Sequence, residues 1–144
     1  MNDDFLITIK GTQIVDGESN DVEVMTVGSY ETKNDKRYII YKEYGKENDT
    51  PKTTIIKFEN NDKVSIISPN NKHESRLILE KDRRHLCHYE TPMGGLMVGV
   101  STHDIFSTLD DNGGILEVSY TLDFNTNEVS KNSFYINVKK NNNK

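Results

Sequence analysis

One segment, Arg84 to Phe124, decides the fold. Its first signal is Tyr89-Glu90-Thr91-Pro92-Met93-Gly94-Gly95, which leads into the apolar run Leu96 to Val100. Its second is Asp110-Asp111-Asn112-Gly113-Gly114, which leads into Leu116-Glu117-Val118-Ser119-Tyr120-Thr121-Leu122. Proline fixes φ at the first corner of a turn, and glycine accepts the left-handed backbone that a tight reversal needs. The alternation after Gly114 has the period of two of a half-buried strand. The segment therefore predicts three β-segments joined by two turns, a statement about architecture more than chemistry.

The same grammar recurs along the rest of the chain. Phe5, Ile7 and Ile9 alternate on an opening strand that continues through Gly11 to Val15, where the glycine predicts a bulge or bend. Asp16 to Asp21 reads as the first connection. Val22 to Val27 is a second strand, interrupted by Gly28 before Tyr30. Lys33-Asn34-Asp35-Lys36 is a tight turn, and Arg37 to Tyr44 is a third strand dense in β-formers. A polar loop over Gly45 to Pro51 precedes a meander of Lys52 to Glu59, Lys63 to Ser68 and Ser75 to Glu80. Its turns are Asn60-Asn61-Asp62 and Pro69-Asn70-Asn71-Lys72. Arg84 to Glu90, Leu96 to Thr102, Gly114 to Phe124 and Asn132 to Val138 complete the strands, with the last hairpin turn at Asn125 to Asn127. No apolar period of helical length exists, and only the segment after His103 leaves room for a short helical turn.

The expected fold is all-β: a single antiparallel meandering barrel of about eight to ten strands. Strands bent at glycine favour a barrel over a sandwich. The folded domain is expected to cover residues 1–138, with 139–144 a disordered polar tail.

A chain of 144 residues suffices for one core without disulfides, and Cys87 is the lone cysteine. Apolar content of 33% is lean, which suits strands that expose every second residue. The net charge of −5, with lysines scattered among acidic residues, argues against nucleic-acid and anionic-membrane surfaces. The basic run Lys81-Asp82-Arg83-Arg84 reads as a charged turn rather than a phosphate contact. The N-terminus Met1-Asn2-Asp3-Asp4 is acidic and no long apolar run follows, so a cytoplasmic protein is expected.

If Met93 and Gly94 form the tip of the central hairpin, Thr91 faces Leu96, Tyr89 faces Val98, Cys87 faces Val100 and His85 faces Thr102. His85, Cys87, Tyr89, Leu96, Val98 and Val100 then share the core face. Arg84, His88, Glu90, Gly99, Ser101 and His103 take the solvent face, together with Leu86 and Met97. His88, His103 and Glu90 contain a familiar metal-ligand set, but an outer wall neither excludes water nor orients ligands; they read as surface residues, as does His73. His85 faces inward, as a mouth residue or a hydrogen-bonded core histidine. Cys87 reads as a small buried hydrophobe.

Tyr38, Tyr41, Tyr44, Tyr89 and Tyr120 all fall in strands. Inward tyrosines bring a polar tip into an apolar interior, which suits an amphipathic ligand, although they also serve as plain barrel filling. No phosphate-cradling glycine loop, nucleophile elbow, His-Glu-x-x-His or Cys-x-x-Cys pair occurs. Asp110-Asp111 lacks the spaced ligands of a calcium loop and reads as turn chemistry.

The Thr91-Pro92-x-Gly94 turn with Val100-Ser101-Thr102 after it resembles the YwiB-like proteins. So do Gly28-x-Tyr30 followed by Tyr38 to Tyr41, and Gly114-x-Leu116-x-Val118-x-Tyr120-x-Leu122. The resemblance extends along the whole chain. It implies a small bacterial domain of unknown function with a calycin-type, lipocalin-like barrel, and it brings no catalytic residues. Calycins commonly hold small hydrophobic molecules inside the barrel, which is an analogy of fold.

The expectation is thus a non-enzymatic barrel, without catalytic residues, metal or cofactor, that binds a small apolar or amphipathic ligand. Tyr41, His85, Tyr89, Thr102 and Tyr120 are expected to line the site. The alternative is a side-chain-filled barrel acting as a protein interaction module or homodimer, with Leu86 and Met97 as its outward apolar pair. An enzyme using His85 or the His88/His103 pair is the third and least favoured reading.

Overall fold

The computed structural model describes residues 5–43, 52–69, 74–91 and 94–141. Ten strands run in chain order: β1 (Phe5–Val15), β2 (Glu18–Lys33), β3 (Lys36–Glu43), β4 (Lys52–Asn60), β5 (Lys63–Pro69), β6 (Glu74–Glu80), β7 (Arg84–Thr91), β8 (Gly94–Ser107), β9 (Gly113–Phe124) and β10 (Asn127–Lys140). Every ladder is antiparallel, in the order β6-β5-β4-β3-β2-β1-β10-β9-β8-β7. Hairpin follows hairpin, and β10 returns to β1, so the chain forms the nearly closed ten-stranded barrel that the turn spacing implies. The expected loop at Gly45 to Pro51, and Tyr44, Asn70 to Lys72, His73, Pro92 and Met93, lie outside the described residues, as do residues 1–4 and 142–144.

Gly28 is the corner that lets a flat ribbon become a barrel. It is the last β2 residue paired with β1, opposite Phe5, and the first paired with β3, opposite Tyr41. A Cβ there would collide with the Ile40 carbonyl oxygen and stand 2.6 Å from Ile7 Cδ1. Only glycine lets the strands approach that closely. Two-residue turns at Asp16-Gly17, Asn34-Asp35 and Asn125-Thr126 all adopt positive φ, matching the twist of their flanking strands.

The barrel closes between β6 and β7 without a ladder. The Ile78 amide donates to Cys87 Sγ at 3.3 Å, and His85 Nε2 meets Glu80 Oε1 at 2.8 Å. Below them the Lys81–Arg83 corner docks on β8, where the Asp82 amide donates to the Thr102 carbonyl at 2.9 Å. On the outer wall Arg84 grips Asp123 with two charge-assisted bonds of 2.9 and 2.7 Å across Gly99, clamping β7, β8 and β9. A side chain at position 99 would collide with both partners.

Several sequence expectations need correction. The first connection is Asp16-Gly17 alone, and Glu18 to Asp21 already belong to β2. The central hairpin pairs Thr91 with Gly94, Tyr89 with Leu96, Cys87 with Val98 and His85 with Val100, two residues away from the expected register. An even shift leaves each side chain on its expected face, so the sorting into core and solvent faces survives. The segment after His103 forms no helical turn; β8 continues past a bulge to Ser107. β10 runs through Lys139 and Lys140, paired with Leu6 and Phe5, two residues beyond the expected end of the folded domain.

Candidate functional site

Take the β1–β2 and β9–β10 turns as the upper end and the β2–β3, β4–β5 and β8–β9 turns as the lower. The two halves of the interior are filled differently. Ile7, Ile39, Val64, Leu79, Leu116 and Val138 are fully buried and crowd the lower half. That end is also stoppered: Tyr30 donates its hydroxyl to the Asp110 carbonyl at 2.6 Å, and Arg37 pairs with Asp111 at 2.9 Å. The β8–β9 turn is thereby tied across to β2 and β3.

The upper half mixes aliphatic Leu96, Val98 and Leu122 with aromatic and polar side chains. Tyr41 is 7% exposed on β3. Burial, then the Glu43 carboxylate and the Tyr120 phenol, push its ionisation up, while a hydrogen bond with the Thr54 side chain pulls the other way. Tyr120 packs edge-on against Phe134, with ring centroids 6.3 Å apart. Its phenol is pushed up to about 12 by burial and by neighbouring Tyr89. Tyr89 is 41% exposed, placing it at the rim. Three of the five expected site residues therefore gather, close enough for one phenol to oppose the ionisation of the next.

Thr102 stands directly opposite Tyr120 in the β8–β9 ladder. It is 2% exposed, and its hydroxyl has no hydrogen-bond partner among the described residues. A buried hydroxyl left unpaired costs about 1–3 kcal/mol. His85 does not join this group: its ring is engaged by Glu80 at the β6–β7 corner. That bond, followed by the charge of Arg83, draws the Glu80 carboxyl below its ordinary value. The pairing was accessible to sequence reading, since Glu80 and His85 flank the charged turn Lys81–Arg83.

The remaining expected residues fall on the outer wall. Leu86 and Met97 are 63% and 50% exposed there. His88 pairs with Met97, six residues along β8 from His103 and roughly 20 Å away at strand rise. His103 Nε2 instead meets Thr121 Oγ1 at 2.6 Å. Among the described residues no trio of His, Cys, Asp or Glu gathers to hold a metal ion. Burial raises the Cys87 thiol above its ordinary value, which keeps it protonated and unreactive at neutral pH. Two adjoining grooves, of about 330 and 500 Å³, lie on the outer face of β1, β10, β9 and β8. Sequence reading missed them, because their lining comes from four strands whose register must be known. Among the described residues no helix is long and apolar enough to cross a membrane.

The crystal structure of the ywiB protein from Bacillus subtilis superposes with a TM-score of 0.80. The match covers 94% of this chain and 90% of that one at 20% identity, a likeness of fold. No curated protein matches the chain. The family whose model matches residues 7–136 is described as a domain of unknown function, DUF1934. With that match spanning most of its length, and with the barrel to accompany it, the chain belongs to the DUF1934 family.

Proposed function

We infer that the protein binds a small amphipathic molecule in the upper half of its barrel, as a non-enzymatic, cytoplasmic, calycin-like carrier. The observation that carries this reading is the Thr102 hydroxyl. A folded protein rarely leaves such a group unpaired, and a ligand oxygen or nitrogen reaching past Tyr120 would satisfy it. The Tyr41 and Tyr120 rings supply apolar walls with polar tips, and Tyr89 at the rim offers an entrance. The neutral phenols favour an uncharged or singly polar ligand, since burial there penalises charge. The acidic net charge supports a role away from nucleic acid and anionic membranes.

The direct test is titration with N-phenyl-1-naphthylamine, an uncharged dye whose fluorescence rises in an apolar site. Saturable one-to-one binding that weakens in Thr102→Val and Tyr120→Ala supports the reading. No saturable signal, or a signal indifferent to both substitutions, counts against it.

The second reading, an interaction module, draws on Leu86 and Met97, which stand outward on neighbouring strands. Apolar side chains presented together are the raw material of an interface. Light scattering at micromolar concentration separates the two readings: a dimer that Met97→Lys dissolves favours the interface, and a monomer removes self-association.

A further inference from the structure

The outer grooves have a regular construction that the ladders make explicit. Thr12, Ser133 and Ser119 are consecutive register partners on β1, β10 and β9, and Asp104 on β8 ends the row. Cross-strand partners share a face, so these short polar side chains form a continuous line across four strands. At strand spacing the line is roughly 14 Å long. The row above it is Ile14, Lys131 and Thr121; the row below is Lys10, Tyr135, Glu117 and Phe106. Both flanking rows are bulkier than the hydroxyl row. The result is one trough with a hydroxyl floor, and both grooves include Thr12, Ser119 and Ser133.

The lining defines the occupant. Up to Asp104, which closes the β8 end, the floor carries hydroxyls that donate and accept equally well, with no fixed charge. The walls balance lysines against carboxylates, with Lys10 and Lys131 facing Glu117 and Glu128, and Asp104 is 3.9 Å from Lys81. An anion would meet the carboxylates, and a cation would meet the lysines. Lys10 covers the Tyr135 ring at 6.0 Å, whereas Phe106 is 52% exposed on a wall that is otherwise polar. A bare aromatic face beside hydroxyl groups matches a pyranose ring, which presents C–H groups on its face and O–H groups around its edge.

We propose that this trough binds a short neutral oligosaccharide, with its hydroxyls on Thr12, Ser133 and Ser119 and one ring face against Phe106. The trough lies outside the barrel wall, so this site stands or falls independently of the interior one. The test is an amide NMR titration of the full chain with cellotriose, maltotriose and N,N′,N″-triacetylchitotriose, and with a capped neutral pentapeptide. At least one saccharide is expected to shift the amides of residues 12, 106, 119 and 133 saturably. Phe106→Ala and Ser133→Leu are each expected to weaken that binding at least about tenfold while leaving the unfolding midpoint in urea unchanged. Ser133 is exposed, so filling the floor there does not disturb the core. The proposal is overturned if none of the three saccharides shifts those amides at tens of millimolar. It is equally overturned if the peptide shifts them and the sugars do not, or if saccharide binding survives both substitutions.

Discussion

The lower and upper halves of the barrel are built from the same strands and filled differently. Below, aliphatic side chains such as Ile39, Leu79 and Leu116 have no exposed surface. The open end there is tied shut by Tyr30, Arg37 and the Asp110-Asp111 turn. Above, Tyr41 and Tyr120 bring phenols into the interior, and Thr102, opposite Tyr120 where the two halves meet, carries a buried hydroxyl with no hydrogen-bond partner among the described residues. Close packing of aliphatics is the cheapest way to gain stability. A half that departs from it is the half where a site can lie.

Removing packing from the lower half should produce the largest effect. Leu116→Ala is expected to cost about 2–5 kcal/mol in urea unfolding, because the fully buried site cannot collapse. A loss below about 1 kcal/mol would mean that the lower half is no better packed than the upper. Gly28→Ala comes next, at about 1–3 kcal/mol, since its Cβ meets backbone as well as Ile7. The same assay reads it, and a neutral result would show that β2 can turn its corner without a close approach.

Thr102→Val carries the opposite sign. Replacing an unpartnered buried hydroxyl with a methyl should stabilise the ligand-free protein by about 1 kcal/mol. A destabilised variant would reveal that the hydroxyl is satisfied in solution.

Titration divides the halves again, with smaller effects. At the lower corner Glu80 is held below its ordinary value by His85 and then by Arg83. A depressed carboxyl contributes stability that is present above its unfolded pKa and lost as pH falls through the folded one. Glu80→Gln should therefore flatten the acid limb of the stability curve below about pH 4.5. Tyr120 behaves in the opposite sense. Its raised phenol contributes stability that is full below about pH 10 and lost as pH rises towards about 12. Tyr120→Phe should flatten that alkaline limb and leave the acid limb untouched. Unfolding midpoints across pH check both, and an interchange of the two effects would contradict the assignment.

How far the sequence carried depended on distance along the chain. Alternation and turn residues located every strand, because both signals lie within a few residues. The central register slipped by two because Thr91-Pro92-Met93-Gly94-Gly95 offers more than one tip, and the even slip cost nothing in facing. β8 was cut short at Thr102 because its bulge breaks the period of two just beyond. Tyr41 and Tyr120 were legible as inward-facing residues, whereas Tyr89 is 41% exposed at the rim, and the Glu80–His85 pair was legible from the two residues that flank the Lys81–Arg83 turn. The stopper contact between Tyr30 and Asp110 joins residues 80 positions apart, and no local pattern encodes it. The same is true of the hydroxyl row, whose members Thr12, Ser119 and Ser133 meet only once β10 has returned to β1.

The most direct test of an occupied upper half is native mass spectrometry of the wild-type chain purified from the cells that make it, without lipid or detergent added. A stoichiometric non-covalent adduct, absent from Thr102→Val prepared in the same way, is the predicted result. A bare wild-type chain would contradict the interior site.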